Sequence, residues 1–158
     1  LDHSKDLLAN KIIFSCLFPL TYALHIAEEY WGGEGYPAYL LQVHGVHFSA
    51  ARFWVWQSVG IVLMIAGVFL AHRLNFPHLL LIILATVFFK NALTHIVRSA
   101  LRTTYEPGLV TSILLWVPLG ATTLIQLRGL MRVRRYLLGI AIGLGVSAMI
   151  ELITSGLF

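Results

Sequence analysis

The chain has 158 residues, of which 58% are hydrophobic and only 11% charged, with a mean hydropathy of +0.82. Soluble domains carry about a quarter charged residues, so this composition excludes an ordinary water-soluble fold and suits a chain whose apolar side chains face lipid. The formal net charge is +4, but the Lys and Arg residues fall mainly between apolar blocks, so they read as topology signals and lipid-headgroup contacts, not as a nucleic-acid surface.

The pattern predicts an all-α, polytopic transmembrane bundle forming a single domain over 1–158. About five spanning helices are expected, over about 11–30, 53–71, 77–97, 107–127 and 136–157. Each is long enough to cross about 30 Å of hydrocarbon at about 1.5 Å per residue. The first begins near Lys11 and ends in polar chemistry at Tyr30, and no basic-then-apolar segment with a cleavage site reads as a removable signal. The lone Cys16 within it has no partner for an internal disulfide. The longest connection, Trp31 to Ala51, is rich in glycine and is expected to hold a short interfacial helix around Tyr39 to His47.

The second span is uncharged. Pro77 and Pro107 stand at the starts of the third and fourth, where a missing N–H costs nothing. Pro19 and Pro118 fall inside spans and are expected to kink them. In the fifth, Gly139 and Gly143 have a spacing suited to close helix packing. With five spans, Lys5, Lys11, Arg73, Arg128, Arg132, Arg134 and Arg135 share one side and Arg52, Arg98 and Arg102 the other. That bias predicts a cytoplasmic N-terminus and an outside C-terminus.

Ionisable residues inside spans are costly and usually functional. The first span ends with His25, Glu28 and Glu29, and both carboxylates are within one helical turn of the imidazole. The third carries Asn91 and His95 at the same spacing, with Arg98 and Arg102 beyond them. Tyr105, Glu106, Pro107 and Gly108 open the fourth span, and the fifth holds one carboxylate, Glu151. Spans one, three and five run in the same direction, so helical rise lifts Glu28, His95 and Glu151 about 22–27 Å from their span starts. These groups therefore converge on one layer near the outer end of the hydrocarbon, together with Tyr105, His44 and His47. His72 and His78 fall at the opposite end. The plainer readings are an ion pair or solvated helix end for His25, Glu28 and Glu29, helix–helix hydrogen bonding for Asn91 and His95, and hydrogen-bonded histidines for His44 and His47. Glu106 reads as a solvated turn residue, Glu151 as either a catalytic group or a counter-charge to Lys90 or an arginine, and Trp31, Tyr36, Tyr39, Trp54 and Trp56 as an interfacial belt.

Three short motifs stand in order along the chain: H-x-x-E-E at His25 to Glu29, N-x-x-x-H at Asn91 to His95, and Y-x-P-G at Tyr105 to Gly108. In these the sequence resembles the HXXEE-motif family of small integral membrane proteins. The resemblance covers the first span to the fourth and implies a membrane-embedded, enzymatic site.

The leading expectation is a metal-dependent enzyme acting on a lipid or isoprenoid-like substrate. His25, Glu28 or Glu29, and His95 would ligate a divalent ion, iron or zinc, with Asn91 a ligand or an orienting group. Glu28, Glu29, Arg98, Tyr105 and Glu151 are the candidate catalytic groups, and Arg102, Trp31, His44 and His47 the candidate substrate contacts. Arg98 and Arg102 suit an anionic headgroup. Metal-free acid/base catalysis by the same His and Glu residues, as a lipid isomerase, cyclase or hydrolase, is the alternative. A b-type haem carrier ligated by His25 and His95 is a second alternative. Membrane lipids and an apolar substrate are the expected partners, with no nucleic acid, and a homo-oligomer remains open.

Overall fold

The computed structural model describes residues 3–154, with side chains from Ile13 to Ile153 except that of His44. Six helices form it: α1 (His3–Trp31), α2 (Tyr36–His44), α3 (Ala50–Arg73), α4 (Pro77–Arg102), α5 (Leu109–Leu130) and α6 (Val133–Thr154). No strand occurs among the described residues. The expected interfacial helix is α2, which starts three residues earlier than the sequence suggests because Gly35 turns the chain at φ 79° and Pro37 suits a first helical turn. Lys5, Lys11 and the side chain of His44 lie outside the described side chains.

Four helices, α3, α4, α5 and the Val133–Ile153 part of α6, are long and apolar enough to cross a membrane. With its 29 residues, α1 matches them in length, and its last turns carry the motif carboxylates. The chain is an all-α, multi-pass integral membrane protein.

The central element is α4, which packs along α5 and α6 and touches α1 and α3. Its buried stripe Leu81, Ile82, Ala85, Phe88, Ala92 and His95 repeats at helical spacing. Gly139 and Gly143 of α6 face this stripe, where an added Cβ would lie 2.7 Å from Ile82 and from Thr86. The small-residue pair therefore serves packing within the chain. At one level Phe18 of α1, Phe88 of α4 and Trp116 of α5 form an aromatic core, with Phe18 edge-on to Phe88 at 5.2 Å. The start of α5 is irregular. Ser112–Trp116 form a π-helical turn, an insertion common at functional sites, just ahead of Pro118. It aims Ser112 and Trp116 inward, where both are buried.

Candidate metal centre

His25, Glu29 and His95 meet where the ends of α1 and α4 come together, and all three are buried. Glu29 Oε1 lies 3.5 Å from His25 Nε2 and 3.7 Å from His95 Nε2. On α1 the i,i+4 spacing stacks His25 and Glu29 on one face, and α4 brings His95 to that face from the other side. His25 lies flat against Trp116, with ring centroids 3.7 Å apart, and meets His95 edge to face at 5.1 Å.

Two of the three have their remaining polar atom hydrogen-bonded from outside, and the third, His95, has a carboxylate beside it without a hydrogen bond. His25 Nδ1 is 2.8 Å from Thr111 Oγ1. The Thr111 hydroxyl donates to Glu28 Oε2 at 2.5 Å, so it accepts from His25, and the proton of that imidazole is assigned to Nδ1. The lone pair of His25 Nε2 then faces the Glu29 carboxylate, and Nε2 forms no hydrogen bond with a described residue. Glu29 Oε2 accepts from Gln57 Nε2 at 2.8 Å, and Tyr22 fixes that amide by donating to Gln57 Oε1 at 2.5 Å. His95 Nδ1 stands 3.3 Å from Glu106 Oε1. Two ligands about 2.0–2.2 Å from a tetrahedral ion are themselves about 3.3–3.6 Å apart, and the three atoms here lie within 4.8 Å of one another, so the group could hold a metal ion.

The two adjacent glutamates of the first motif do different work. Glu28 points to the start of α5, where Oε1 accepts from Tyr105 OH at 2.7 Å and Val110 N at 2.8 Å, and Oε2 from Thr111 N at 2.6 Å. It thus caps a helix whose free N–H groups favour an anion. The expectation that Glu28 is a ligand is corrected on this point, since both its oxygens are engaged there. Partial burial and the hydrogen bond to Glu28 push the Tyr105 phenol above its ordinary range, so it stays a donor. Gly108 explains the end of the third motif. Its φ of 93° favours glycine, and a Cβ would meet His25 Cε1 at 2.7 Å and His95 Cε1 at 3.1 Å.

Glu106, read from the sequence as a solvated turn residue, is 0% exposed. Tyr39 donates to its Oε2 at 3.1 Å, and Arg98 Nη1 lies 3.7 Å from its Oε1. Arg102 donates to Tyr39 OH at 2.9 Å. Arg98 and Arg102 therefore gather around Glu106 and Tyr39 behind His95 and form no ion pair with Glu29. Asn91, one turn before His95, is half-buried and forms no hydrogen bond to the cluster among the described residues. Glu151 pairs with Lys90 on the α4–α6 flank, which corrects its reading as a catalytic group in favour of a counter-charge. Trp31 is exposed and packs on Tyr30 and Trp54. His47 lines a separate recess of about 260 Å³ with Pro37, Phe48 and Arg52.

Sequence reasoning missed Gln57, Thr111, Glu106 and Trp116. Gln57 carried a signal, as an amide in the middle of an uncharged span. The other three lie near the chain's fourth-span start and become legible only once Glu28 is known to dock there.

No curated protein and no solved structure matches this chain. A family model described as "Protein of unknown function with HXXEE motif" matches residues 16–123, the stretch that holds all three motifs, and the chain belongs to that family.

Proposed function

We propose that this protein is a membrane-embedded, metal-dependent enzyme acting on an apolar, lipid-like substrate, with the ion held by His25 Nε2, Glu29 Oε1 and His95 Nε2. One observation carries the reading. The lone pair of His25 Nε2 and a Glu29 oxygen face each other at 3.5 Å, with the opposite atom of each residue already committed to Thr111 and Gln57. Two acceptors so arranged call for a cation between them. Ligating histidines usually have their second nitrogen held by a hydroxyl, carbonyl or carboxylate, as Thr111 holds His25, and the Glu106 carboxylate stands 3.3 Å from the second nitrogen of His95.

A bound zinc or ferrous ion supplies Lewis acidity toward a water or a substrate oxygen, and three protein ligands leave it a position for that oxygen. Glu28, through Thr111, keeps His25 in the ligating tautomer. Gln57 orients Glu29, and Glu106 orients His95. Trp116, itself packed on Phe88, covers His25 with apolar surface on the helix side. Arg98 and Arg102 at the rim suit an anionic part of an otherwise apolar substrate. The lysine and arginine distribution supports a cytoplasmic N-terminus and an outside C-terminus.

Metal-free acid/base catalysis is the second reading. It draws on the fully buried Glu106 beside His95, a carboxyl group and imidazole shielded from water. A haem carrier finds less support, since His25 and His95 meet edge to face with Gly108 against both rings, leaving no slot for a porphyrin between them.

Elemental analysis of the purified protein tests the proposal. About one ion per chain is expected in the wild type, lost in His95→Ala and kept in Glu151→Gln, which lies away from the cluster. A wild type without metal after supplementation with zinc and iron sinks it and leaves the acid/base reading.

A further inference from the structure

At the end of the bundle opposite the metal centre, the turn joining α5 to α6 carries four arginines: Arg128, Arg132, Arg134 and Arg135. All four are exposed, and none forms an ion pair or side-chain hydrogen bond with a described residue. Between Glu106 and Glu151 the chain has no Asp or Glu, so the two helices place no counter-ion of their own near this turn. Arg134 and Arg135 moreover stand in the first turn of α6, where positive charge opposes the helix dipole.

The arrangement is hydrogen-bonded to the preceding helix and amphipathic. The backbone N–H groups of Arg135 and Tyr136 donate to Arg132 O, and Tyr136 OH donates to Leu124 O, tying the start of α6 to α5. Arg132, Val133, Arg134 and Arg135 line one recess of about 460 Å³. Leu130, Val133 and Leu137 lie exposed beside it, where the apolar spans begin. Guanidinium groups match phosphate oxygens in paired hydrogen bonds, and the leucine and valine surface alongside suits acyl chains.

We propose that this turn binds the phosphate headgroup of an anionic membrane lipid, with Arg132, Arg134 and Arg135 on the phosphate and the acyl chains along Leu130, Val133 and Leu137. A site of this kind anchors the α5–α6 hairpin in its leaflet, independently of any activity at the metal centre.

The test is native mass spectrometry of delipidated protein titrated with phosphatidylglycerol and with phosphatidylcholine. Wild type is expected to retain phosphatidylglycerol with roughly tenfold or greater preference. The triple variant Arg132→Gln, Arg134→Gln, Arg135→Gln should lose that preference, and Arg73→Gln, at a different turn, should keep it. Equal retention of both lipids by the wild type, or an unchanged preference in the triple variant, overturns the proposal. Labelling of wild-type arginines with phenylglyoxal gives a readout that needs no variant. Phosphatidylglycerol vesicles should slow modification of Arg132, Arg134 and Arg135, and phosphatidylcholine vesicles should not. Protection by inorganic phosphate as strong as that by phosphatidylglycerol would make this a soluble-anion site and overturn the lipid assignment.

Discussion

The α1–α4 pair is held together in two different ways along its length. In one half, Phe18 meets Phe88 edge to face, with Leu81, Ile82 and Ala85 buried around them. In the other half, His25 and Glu29 meet His95, and Gln57, Thr111 and Glu106 close the ring of polar contacts. Within a bilayer, apolar contact between helices gains little over contact with lipid, so the first half depends on shape and close approach. The second half depends on pairing, because a polar atom without a partner in that setting is costly. One half therefore tolerates exchange of one apolar side chain for another of similar size. The other is specific to the atom.

This contrast can be broken from either side. The largest effect is expected from Gly108→Ala, which forces a Cβ to within 2.7 Å of His25 and 3.1 Å of His95 at a φ that side chains rarely adopt. Metal affinity, read by competition with a chelator, should fall by at least about a hundredfold. Retention of the ion would mean that the rings do not need their observed spacing. Gln57→Leu is next. It leaves the helix apolar and the packing intact but frees Glu29 Oε2, and should weaken metal binding by about 10–100-fold. An unchanged affinity would remove Gln57 from the site.

The apolar packing of α6 on the same stretch of α4 should respond in the opposite sense. Gly143→Leu pushes a side chain into Thr86 and the Ile83 carbonyl, with the first added carbon already 2.7 Å from Thr86 Cβ. It should cost about 1–3 kcal/mol, measured as a lowered midpoint of denaturation in a strong detergent. Metal per folded chain should not change. Loss of metal in step with stability would show the apolar packing on α4 and the polar cluster to be one cooperative unit.

The same contrast explains what was legible in the sequence. Helix positions follow from the apolar blocks, and the convergence of His25, Glu29 and His95 follows from counting helical rise along spans taken to alternate in direction. Glu28 and Glu29 are a harder case, because both lie within reach of His25 along α1. What separates them is their direction. Glu29 faces Gln57 on α3 and Glu28 faces the first turn of α5, and neither neighbour is adjacent in sequence. Glu106 looked solvated because a charged residue next to proline in a turn usually is. Its burial comes from Tyr39 and Arg98, one from the short α2 and one from α4, which close over it. The π-helical turn that carries Trp116 under His25 has no periodic signature in the sequence.

Glu151 gives the smallest expected effect and sharpens the boundary of the site. Its pairing with Lys90 lies on the flank of α4 and α6, with the two side chains 30% and 43% exposed. Depth alone had grouped it with the motif residues, since its rise along the fifth span matches theirs. Facing decides otherwise, because Lys90 points away from the stripe that carries His95. A glutamine at position 151 still offers Lys90 a carbonyl oxygen as acceptor. Glu151→Gln should therefore leave metal content unchanged and shift the denaturation midpoint only slightly. If it instead abolished metal binding, the coordination sphere would have to extend across α4 to α6, and the assignment of the centre to α1, α4 and their supporting residues would fail.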